Sequence, residues 1–493
     1  MNGHQDGMIT VDKYYINGAW VAGQGGKPFP LMNPATEAQI GTVTLGSAAD
    51  VNHAVAAAKR AFTSFSLSSK AERLGYLRAL QKALEDRTDD MGRAISQEMG
   101  APITLARNAQ AGCGPRHAAA YIAALEAHEE EYTLPNGDII RKEPIGVCGL
   151  ITPWNWPINQ IAQKVMPALA AGATCVLKPS EHTPLSAVIF AECVHEAGYP
   201  AGVFNLVFGD GADVGSAMSL HPDVAMISFT GSTHAGAMVS RDSAESVKRV
   251  ALELGGKSAN LVFADADLET VVPASVTRCF VNTGQGCNAP TRMLVERSCY
   301  DKVVDLARQT AEAQVVDDPA KEGIHIGPLF DKMQFDRVQS MILLGLDEGA
   351  RLLAGGLGRP EGLAKGWFAK PTIFADVNND MRIAREEIFG PVLTIIPFDT
   401  EEEAIRIAND SDYGLAAYVQ TGSAARAQRV ANQLRAGVVA INGQGAAYGS
   451  PFGGFKHSGN GREGGAFGLE EYLEVKVMPS IGAMAEAGRF TTA

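Results

Sequence analysis

The amino-acid sequence predicts an α/β protein with two doubly wound domains, and three observations support this fold class. From residue 147 onward, the short apolar runs VCGLI, TCVL, FNLVF, VAMISF and VALEL alternate with helical stretches. A second alternation extends from about residue 270 to residue 445 and ends in the strand-like runs PVLTIIPF and GVVAIN. The chain has 493 residues, enough for two or three domains. Strands that alternate with helices in this way form parallel sheets covered by helices.

The first part of the chain carries two predicted helices. Apolar residues recur at helical spacing at Val51, Val55, Ala58, Phe62 and Phe65, and again at Leu74, Leu77, Leu80 and Leu84. Ser47 and Asp50 have the spacing of a capping box before the first set, and Ser69 and Glu72 repeat it before the second. Each set therefore begins at a recognisable helix start.

A hairpin and a third helix follow. In EYTLPNGDIIRKEPIG, two polar extended runs flank the turn Pro135-Asn136-Gly137, which predicts a β-hairpin. It has no obvious core face, so we expect it to lie across another element. A helix is predicted from about Thr183 to Ala197, because Pro184 occupies its first turn and Gly198 follows its end.

Composition excludes several classes of protein. The net charge of −13 comes without a basic stripe and argues against a nucleic-acid partner. No run of 18 uninterrupted apolar residues occurs, so we expect no membrane span. The seven cysteines have no regular spacing, and MNGHQDGMIT does not resemble a secretory signal, so we expect reduced thiols in the cytoplasm. We expect no metal site, because Cys-x-x-Cys and His-Glu-x-x-His are absent.

Four polar stretches directly follow strand-like runs. They are TPWNWP, KPSE, TGS and GGK. An open parallel sheet binds its ligands outside the carboxyl ends of its strands, so these stretches are expected to meet at one edge. Each stretch alone is a weak signal, whereas four on one sheet predict a binding site.

Cys287 is the candidate nucleophile. It lies in VNTGQGCNAP between a glycine and an asparagine, where small residues allow a ligand to approach the sulfur. A cysteine is intrinsically nucleophilic once its thiol is activated. The other six cysteines lie in apolar or helical contexts and are expected to be inert. A Cys-His hydrolase is disfavoured, since none of the ten histidines lies in a stretch that otherwise indicates this site.

Glu253 and Asn155 are the candidate partners of the thiol. Glu253 ends an apolar strand, where burial would raise its pKa and make it a usable general base. The alternative for Glu253 is an ion pair with Lys257. The Asn155 side chain, held between tryptophans and prolines, could donate a hydrogen bond to an oxyanion. Its alternative is a turn-forming asparagine beside Pro157.

A dinucleotide site is suggested by two of the same stretches, although Gly-x-Gly-x-x-Gly is absent. Gly231 and Ser232 stand at a strand-to-helix junction, which favours an anion. Lys178 and Glu181 follow a strand, and a carboxylate there can accept both ribose hydroxyls and repel a 2′-phosphate, which favours NAD over NADP. A tight turn without a ligand and a solvated loop pair are the respective alternatives.

Together these stretches resemble the aldehyde dehydrogenase superfamily of the hydrolytic, non-acylating type. PWNWP, KPSE, FTGS, ELGGK, GQGC, EEIFGP and PFGGFKHSG occur in the family's order over nearly the whole chain. The resemblance implies Cys287 as nucleophile, Glu253 as base, Asn155 in the oxyanion hole and Lys164 in support. It also implies a set of cofactor contacts at Ile151, Thr152, Pro153, Trp154, Lys178, Glu181, Gly211, Gly231, Ser232, Leu254, Glu387 and Phe389.

The resemblance further implies an organisation and a reaction. An NAD-binding domain would comprise residues 1–123 and 146–255, and a catalytic domain residues 256–457. Residues 124–145 and 458–493 would form an oligomerisation arm and C-terminal segment, used in a homodimer or homotetramer. The reaction would oxidise an aldehyde through a Cys287 thioester that water hydrolyses. A CoA-acylating enzyme and a non-catalytic protein on the same fold are the alternatives.

The sequence leaves the aldehyde open. The loop NGQGAAYGSPF consists mostly of small residues, with Tyr448 and Phe452 as its aromatic residues, which favours bulky or elongated aldehydes. We find no aromatic cage for a quaternary amine and no clear arginine clamp for a terminal carboxylate.

Overall fold

The structure is a computed structural model that describes residues 4, 5, 8–479, 484 and 487. The first and last of the predicted ranges, which begin at residue 1 and end at residue 493, therefore extend outside the described residues. No helix among the described residues is long and apolar enough to cross a membrane. These residues also contain no group of three or more His, Cys, Asp and Glu side chains arranged to hold a metal ion.

The larger sheet has eight strands. Its spatial order is Gly459–Asn460, Arg249–Glu253, Met226–Thr230, Val147–Ile151, Thr174–Lys178, Phe204–Leu206, Lys13–Ile16 and Ala19–Ala22. The five strands between residues 147 and 253 are mutually parallel. Gly459–Asn460 at one edge and Lys13–Ile16 near the other are antiparallel to them, and the outermost strand Ala19–Ala22 is antiparallel to Lys13–Ile16. The strand order reverses beside Val147–Ile151, and a crevice at such a reversal is where open α/β sheets bind ligands.

Helices from the first half of the chain share one apolar core with this sheet. They are Ala48–Phe65, Lys70–Asp86, Thr88–Met99, Cys113–Ala127, Pro157–Ala171, Pro184–Glu196, Ser216–Leu220 and Thr233–Ala244, with Ile103–Leu105 and the π-helical turns Ala106–Ala111 and Gly211–Gly215 between them. Both predicted capping boxes are confirmed, at Ser47 and Ser69. The predicted helix after Thr183 is confirmed as well and ends at Glu196.

The second sheet has seven strands. Its order is Arg351–Ala354, Thr372–Ala375, Val392–Phe398, Arg292–Glu296, Ala259–Val262, Ala416–Gln420 and Val438–Ile441, and all neighbours except the first pair are parallel. Consecutive residues alternate between two cores, as Leu261 and Val262 do. This two-residue period shows that both faces of the sheet are buried.

The helices of the second half cover those two faces. One core includes residues of Leu268–Phe280 and Tyr300–Glu312, and the other includes residues of Lys332–Asp347, Arg382–Arg385, Glu401–Asn409 and Ala424–Ala431. Short 3₁₀ turns occur at Val281–Gly284 and Arg297–Cys299. Two doubly wound α/β sheets are therefore present, as the sequence predicted.

Three small sheets complete the fold. The predicted hairpin is confirmed as Glu131–Thr133 and Ile139–Pro144, and the latter pairs with Leu473–Met478. A sheet missed by the sequence analysis contains His4–Gln5, Met8–Val11, Ala38–Leu45 and Lys27–Asn33. Tyr413–Gly414 pairs with Phe455–Lys456, and a short helix, Gly465–Glu470, follows.

One long-range pairing joins the end of the chain to the larger sheet. Gly459–Asn460 runs antiparallel to Arg249–Glu253, with Asn460 opposite Leu252 and Gly459 opposite Glu253. A Cβ atom at Gly459 would lie 2.1 Å from the Leu252 carbonyl oxygen, and its φ of 109° also requires glycine. This glycine therefore allows the chain to approach the strand that carries Glu253.

Candidate active site

Two cavities meet at Cys287. The first has a volume of about 620 Å³ and lies at the carboxyl ends of the parallel strands of the larger sheet. Nine residues predicted from the sequence line it: Pro153, Trp154, Asn155, Gly231, Ser232, Glu253, Cys287, Glu387 and Phe389. The second has a volume of about 480 Å³ and is lined by Cys287 and its neighbours Gly286 and Asn288. The sulfur-bearing residue can therefore be approached from two sides.

The backbone before Cys287 has an unusual conformation. Asn282, Thr283 and Gly284 have φ angles of 55°, 59° and 70°, three successive left-handed residues. This conformation costs a non-glycine residue roughly 1–2 kcal/mol. At Gly284 a Cβ atom would lie 2.2 Å from the Gly390 carbonyl oxygen, so only glycine fits. The turn must therefore be held by its surroundings.

Buried hydrogen bonds hold this turn in place. Gln110 Nε2 donates to Asn282 Oδ1 at 2.9 Å, and Thr283 Oγ1 donates to the Gly327 carbonyl at 3.0 Å. Gln285 Nε2 donates to the Asn282 carbonyl at 3.1 Å. These bonds fix the loop that presents Cys287.

Asn155 lies against the same loop. Its Nδ2 donates to the Gln285 carbonyl at 3.0 Å, while Asn282 Nδ2 donates to the Asn155 carbonyl at 2.9 Å. One amide hydrogen of Asn155 is thus engaged, and the second remains for a ligand, because a primary amide has two donors. Asn155 is 4% exposed and lines the first cavity beside Cys287.

The Glu253 carboxyl lies beside the Cys287 thiol. Neither carboxylate oxygen of Glu253 accepts a hydrogen bond of regular geometry from the other described residues. Burial, with a smaller contribution from the charge of Glu463, raises the pKa of Glu253 to about 8. Burial, followed by the charge of Glu253, raises the pKa of the Cys287 thiol well above its ordinary value. Proximity to this thiol acts in the opposite direction on Glu253 and lowers its pKa. A proton can therefore pass between the two groups.

The alternative ion pair between Glu253 and Lys257 is not formed among the described residues. Lys257 is 2% exposed, and its Nζ has no hydrogen-bond partner in that part of the chain. Burial, together with Arg292, lowers the Lys257 pKa to about 7. Lys164 is the cation that acts on Glu253: it is fully buried, forms an ion pair with Glu463 and lowers the Glu253 pKa. Lys164 lines neither of the two cavities.

The N-terminus of helix Thr233–Ala244 lies at the first cavity. Ser232 caps it by accepting a hydrogen bond from the Ala235 N–H at 3.2 Å. At Gly231 a Cβ atom would approach the Phe229 ring to 2.5 Å. The remaining N–H groups of this first turn and the positive end of the helix dipole favour an anion there.

Glu387 and Phe389 lie across the cavity. Glu387 Oε1 accepts a hydrogen bond from the Gly256 N–H at 3.0 Å, and burial raises the Glu387 pKa to about 7. A Cβ atom at Gly255 would lie 2.2 Å from Glu387 Oε2, so a glycine is needed for this contact. Phe389 has a φ of 59°. Its ring packs edge-on against the Trp154 ring, with 5.6 Å between the ring centroids.

The other predicted cofactor residues lie outside the lining of the first cavity. Lys178 Nζ donates to the Gly209 carbonyl at 2.6 Å and the Pro179 carbonyl at 3.1 Å, and lies 3.4 Å from Glu181 Oε2. Ile151, Thr152 and Leu254 are buried next to lining residues, and Gly211 is exposed at the start of a π-helical turn. The structure thus brings Cys287, Glu253 and Asn155 together. It leaves Lys164, Lys178, Glu181 and Gly211 outside the lining of both cavities.

Comparison with known proteins identifies the family. The sequence profile of the aldehyde dehydrogenase family matches residues 20–478. The chain belongs to the aldehyde dehydrogenase family. It is therefore an oxidoreductase, and its fold is that of this family, as the sequence predicted.

Several known proteins are similar to this chain over nearly its whole length. A 3-succinoylsemialdehyde-pyridine dehydrogenase of a Pseudomonas species is 53% identical over 472 residues, covering 96% of this chain and 99% of the relative. An aldehyde dehydrogenase structure from Bartonella henselae has a TM-score of 0.94 at 48% identity, with 96% and 99% of the two chains covered. A cysteine-to-alanine mutant of aldehyde dehydrogenase C from Pseudomonas syringae, in complex with NAD⁺ and octanal, also has a TM-score of 0.94 at 48% identity, with 98% and 99% covered.

The second cavity of this aldehyde dehydrogenase contains residues that the sequence did not single out. They are His117, Asn159, Gln160, Gln163 and Arg278. Helices Cys113–Ala127, Pro157–Ala171 and Leu268–Phe280 supply them, and no local motif marks these positions, because they meet only when the helices pack. The other lining residues lie in stretches that the sequence analysis quoted: Trp156, Val281, Gly286, Cys287, Asn288, Ala289, Pro290, Ala446, Ala447, Tyr448, Gly449, Ser450 and Phe452.

Proposed function

We propose that this aldehyde dehydrogenase oxidises an aldehyde to its carboxylic acid with NAD⁺ as hydride acceptor and Cys287 as nucleophile. The observation that carries this proposal is the position of Cys287 between two cavities, with Glu253 and Asn155 on the wall of the first. The aldehyde then enters through the second cavity. The two large sheets support an NAD-binding domain in residues 1–123 and 146–255 and a catalytic domain in residues 256–457, within the described part of each.

The donor groups of the first cavity fit a nicotinamide dinucleotide. Ser232 and the helix it caps suit a pyrophosphate, and Glu387 suits ribose hydroxyls. Trp154 and Phe389 provide flat apolar surface, and Thr230 Oγ1 is buried without a partner among the described residues. When bound, NAD⁺ supplies the acceptor for the hydride that leaves the substrate carbon.

Three side chains perform the remaining chemistry. The Cys287 sulfur attacks the aldehyde carbon, and the thiol proton passes to the carboxylate of Glu253. The free Nδ2–H of Asn155 and the Cys287 backbone N–H donate to the oxygen of the resulting hemithioacetal. After the hydride has left, a thioester remains on Cys287. Glu253 releases that proton to solvent and then takes a proton from a water molecule that attacks the thioester. The carbon–sulfur bond breaks, the acid leaves, and the proton passes from Glu253 back to the Cys287 sulfur.

We further propose that NAD is preferred over NADP. Glu181 follows the strand Thr174–Lys178 and lies 3.4 Å from the Lys178 ammonium, so one carboxylate faces the place expected for the adenosine ribose. A carboxylate at this position accepts hydrogen bonds from a 2′-hydroxyl and repels a 2′-phosphate. Lys178 partly offsets this charge, but its other donor contacts are backbone carbonyls.

A homodimer or homotetramer in the cytoplasm completes the proposal. Leu473–Met478 is an edge strand of the three-stranded sheet, and its Val475 and Val477 side chains are exposed. An exposed apolar edge strand is normally covered by another strand or chain. All seven cysteines are free thiols, which fits a reducing compartment.

A spectrophotometric assay of NADH formation tests the proposed function. We expect NADH with NAD⁺ and aldehydes in the absence of CoA, together with one equivalent of free acid. A reaction that requires CoA and yields an acyl-CoA would favour the acylating alternative. No NADH with any member of an aliphatic, aromatic and semialdehyde panel would contradict the proposal.

A further inference from the structure

We propose that Arg278 makes this enzyme selective for aldehydes that carry a carboxylate at the end remote from the aldehyde group. This inference rests on the proposed function, because it places the aldehyde in the second cavity beside Cys287. The cavity of about 480 Å³ is large enough for such a molecule. It therefore names a substrate class for which the sequence alone showed no clear arginine clamp.

Among the described residues that line this cavity, only Arg278 carries a permanent charge. No aspartate or glutamate is among the lining residues. Burial lowers the pKa of His117 to about 4, so the imidazole is neutral at physiological pH. No carboxylate in the described part of the chain pairs with Arg278. The cavity thus presents one uncompensated positive charge to its ligand.

The guanidinium is held by an aromatic ring rather than by an anion. Arg278 lies in the last turn of helix Leu268–Phe280, with Cζ 4.9 Å from the centroid of the Tyr418 ring. Tyr418 is 3% exposed, and its hydroxyl donates to the Asn288 carbonyl at 2.7 Å. Asn288 directly follows Cys287. This contact therefore fixes the cation in relation to the nucleophile. Arg278 also interacts with the Tyr418 side chain through a hydrogen bond, but a guanidinium has five N–H donors, so donors remain for a ligand.

A carboxylate complements this arrangement better than a neutral group does. A guanidinium presents paired N–H donors that match the two oxygens of a carboxylate, and such charge-assisted bonds are about twice as strong as neutral ones. The surrounding groups are mainly amides, small residues and the aromatic side chains of Trp156, Tyr448 and Phe452. The aromatic side chains and small residues supply apolar contact for a carbon chain between the aldehyde and the carboxylate.

The test compares charged and neutral aldehydes of matched shape. For the wild-type enzyme, kcat/KM is measured with the semialdehydes of succinate and glutarate and with their methyl esters. We expect the acids to be preferred by about tenfold or more, and we expect Arg278→Gln to reduce the acid-to-ester ratio about 10-fold to 100-fold. Arg278→Lys, which keeps the charge but not the paired donors, should give a smaller reduction.

Arg116→Gln is the matched control. Arg116 is exposed and is not among the residues lining the cavity, and its Cζ lies 5.7 Å from the centroid of the Tyr448 ring. Arg116→Gln therefore removes one positive charge near the cavity, as Arg278→Gln removes one from its wall. The acid-to-ester ratio should stay within about threefold of wild type. An equal loss in both Arg variants would mean a general electrostatic effect, and an unchanged ratio in Arg278→Gln would overturn the proposal.

A binding measurement separates this inference from the proposed function. Calorimetry with glutarate and its diamide on the wild-type protein requires no turnover. We expect glutarate to bind and Arg116→Gln to retain that binding, whereas Arg278→Lys should weaken it. Preferential binding of the diamide would overturn the inference even if aldehydes are oxidised. Binding of glutarate without any NADH formation would instead contradict the proposed function alone.

Discussion

The two cavities beside Cys287 differ in how the chain builds them. Strand ends and the first residues of the following loops form much of the first cavity, including Asn155, Ser232 and Glu253. Packed helices and a loop from residue 446 to 452 form much of the second. A site at strand ends keeps its geometry through the sheet's hydrogen bonds, whereas helix faces and loops can change side chains without altering the backbone. We infer that the first cavity serves the common chemistry and the second the choice of aldehyde.

Replacing Cys287 tests the residue that the two cavities share, and it should give the largest effect. We expect Cys287→Ala to lower kcat by at least about 10⁴-fold, because the covalent step is lost. NAD⁺ binding, measured by calorimetry, should remain near the wild-type level.

Cys193→Ala is the control for that substitution. Cys193 is buried in helix Pro184–Glu196, away from both cavities, and burial raises the pKa of its thiol to about 12. This variant should keep its activity. Normal oxidation by Cys287→Ala would show that the shared residue is not the nucleophile.

Glu253→Gln tests the first cavity, with a smaller effect of about 100-fold or more on kcat. Because the carboxylate form is the base and burial raises the Glu253 pKa to about 8, wild-type activity should rise as pH increases through 8. The glutamine variant should lack that rise. A pH-rate profile that is identical in both enzymes would contradict the assignment.

Glu253→Gln should lower kcat but raise the stability of the folded protein. The Glu253 pKa is raised on folding from its ordinary value of 4.5 to about 8, so the folded state binds the proton more tightly. Stability is therefore lost as pH rises from 4.5 to 8, and the loss is complete above 8. Thermal unfolding should show that Glu253→Gln is stabilised most above pH 8 and little below pH 4.5.

Glu181→Ser tests a residue outside the lining of the first cavity and should have the smallest effect. Loss of the carboxylate should reduce the preference for NAD⁺ over NADP⁺ about tenfold in kcat/KM, since one charge-assisted hydrogen bond is lost and one repulsion is relieved. Glu196→Gln is the control, because Glu196 pairs with Arg87 at the far end of the next helix. An unchanged ratio in Glu181→Ser would show that the carboxylate does not select the cofactor.

The same contrast explains what the sequence could predict. The parallel strands and the stretches after them are local patterns, so Asn155, Glu253 and Cys287 could be assigned to one site. The N-terminal sheet was missed because Lys27–Asn33 contains two prolines and buries only Leu31, although its partner strand Ala38–Leu45 does alternate buried and half-buried residues. Arg278 was missed because its place in the cavity depends on packing between distant helices. The site roles and the domain boundaries stay predictions until the substitutions are measured.

The pairing of Gly459 with Glu253 has a consequence for the newly made chain. The strand that bears Glu253 obtains its outer neighbour only after the ribosome has passed residue 460. A nascent chain that already has the parallel strands and the thiol therefore still lacks the strand that pairs with the Glu253 strand. Premature termination before that point leaves an exposed sheet edge, which invites aggregation rather than partial activity.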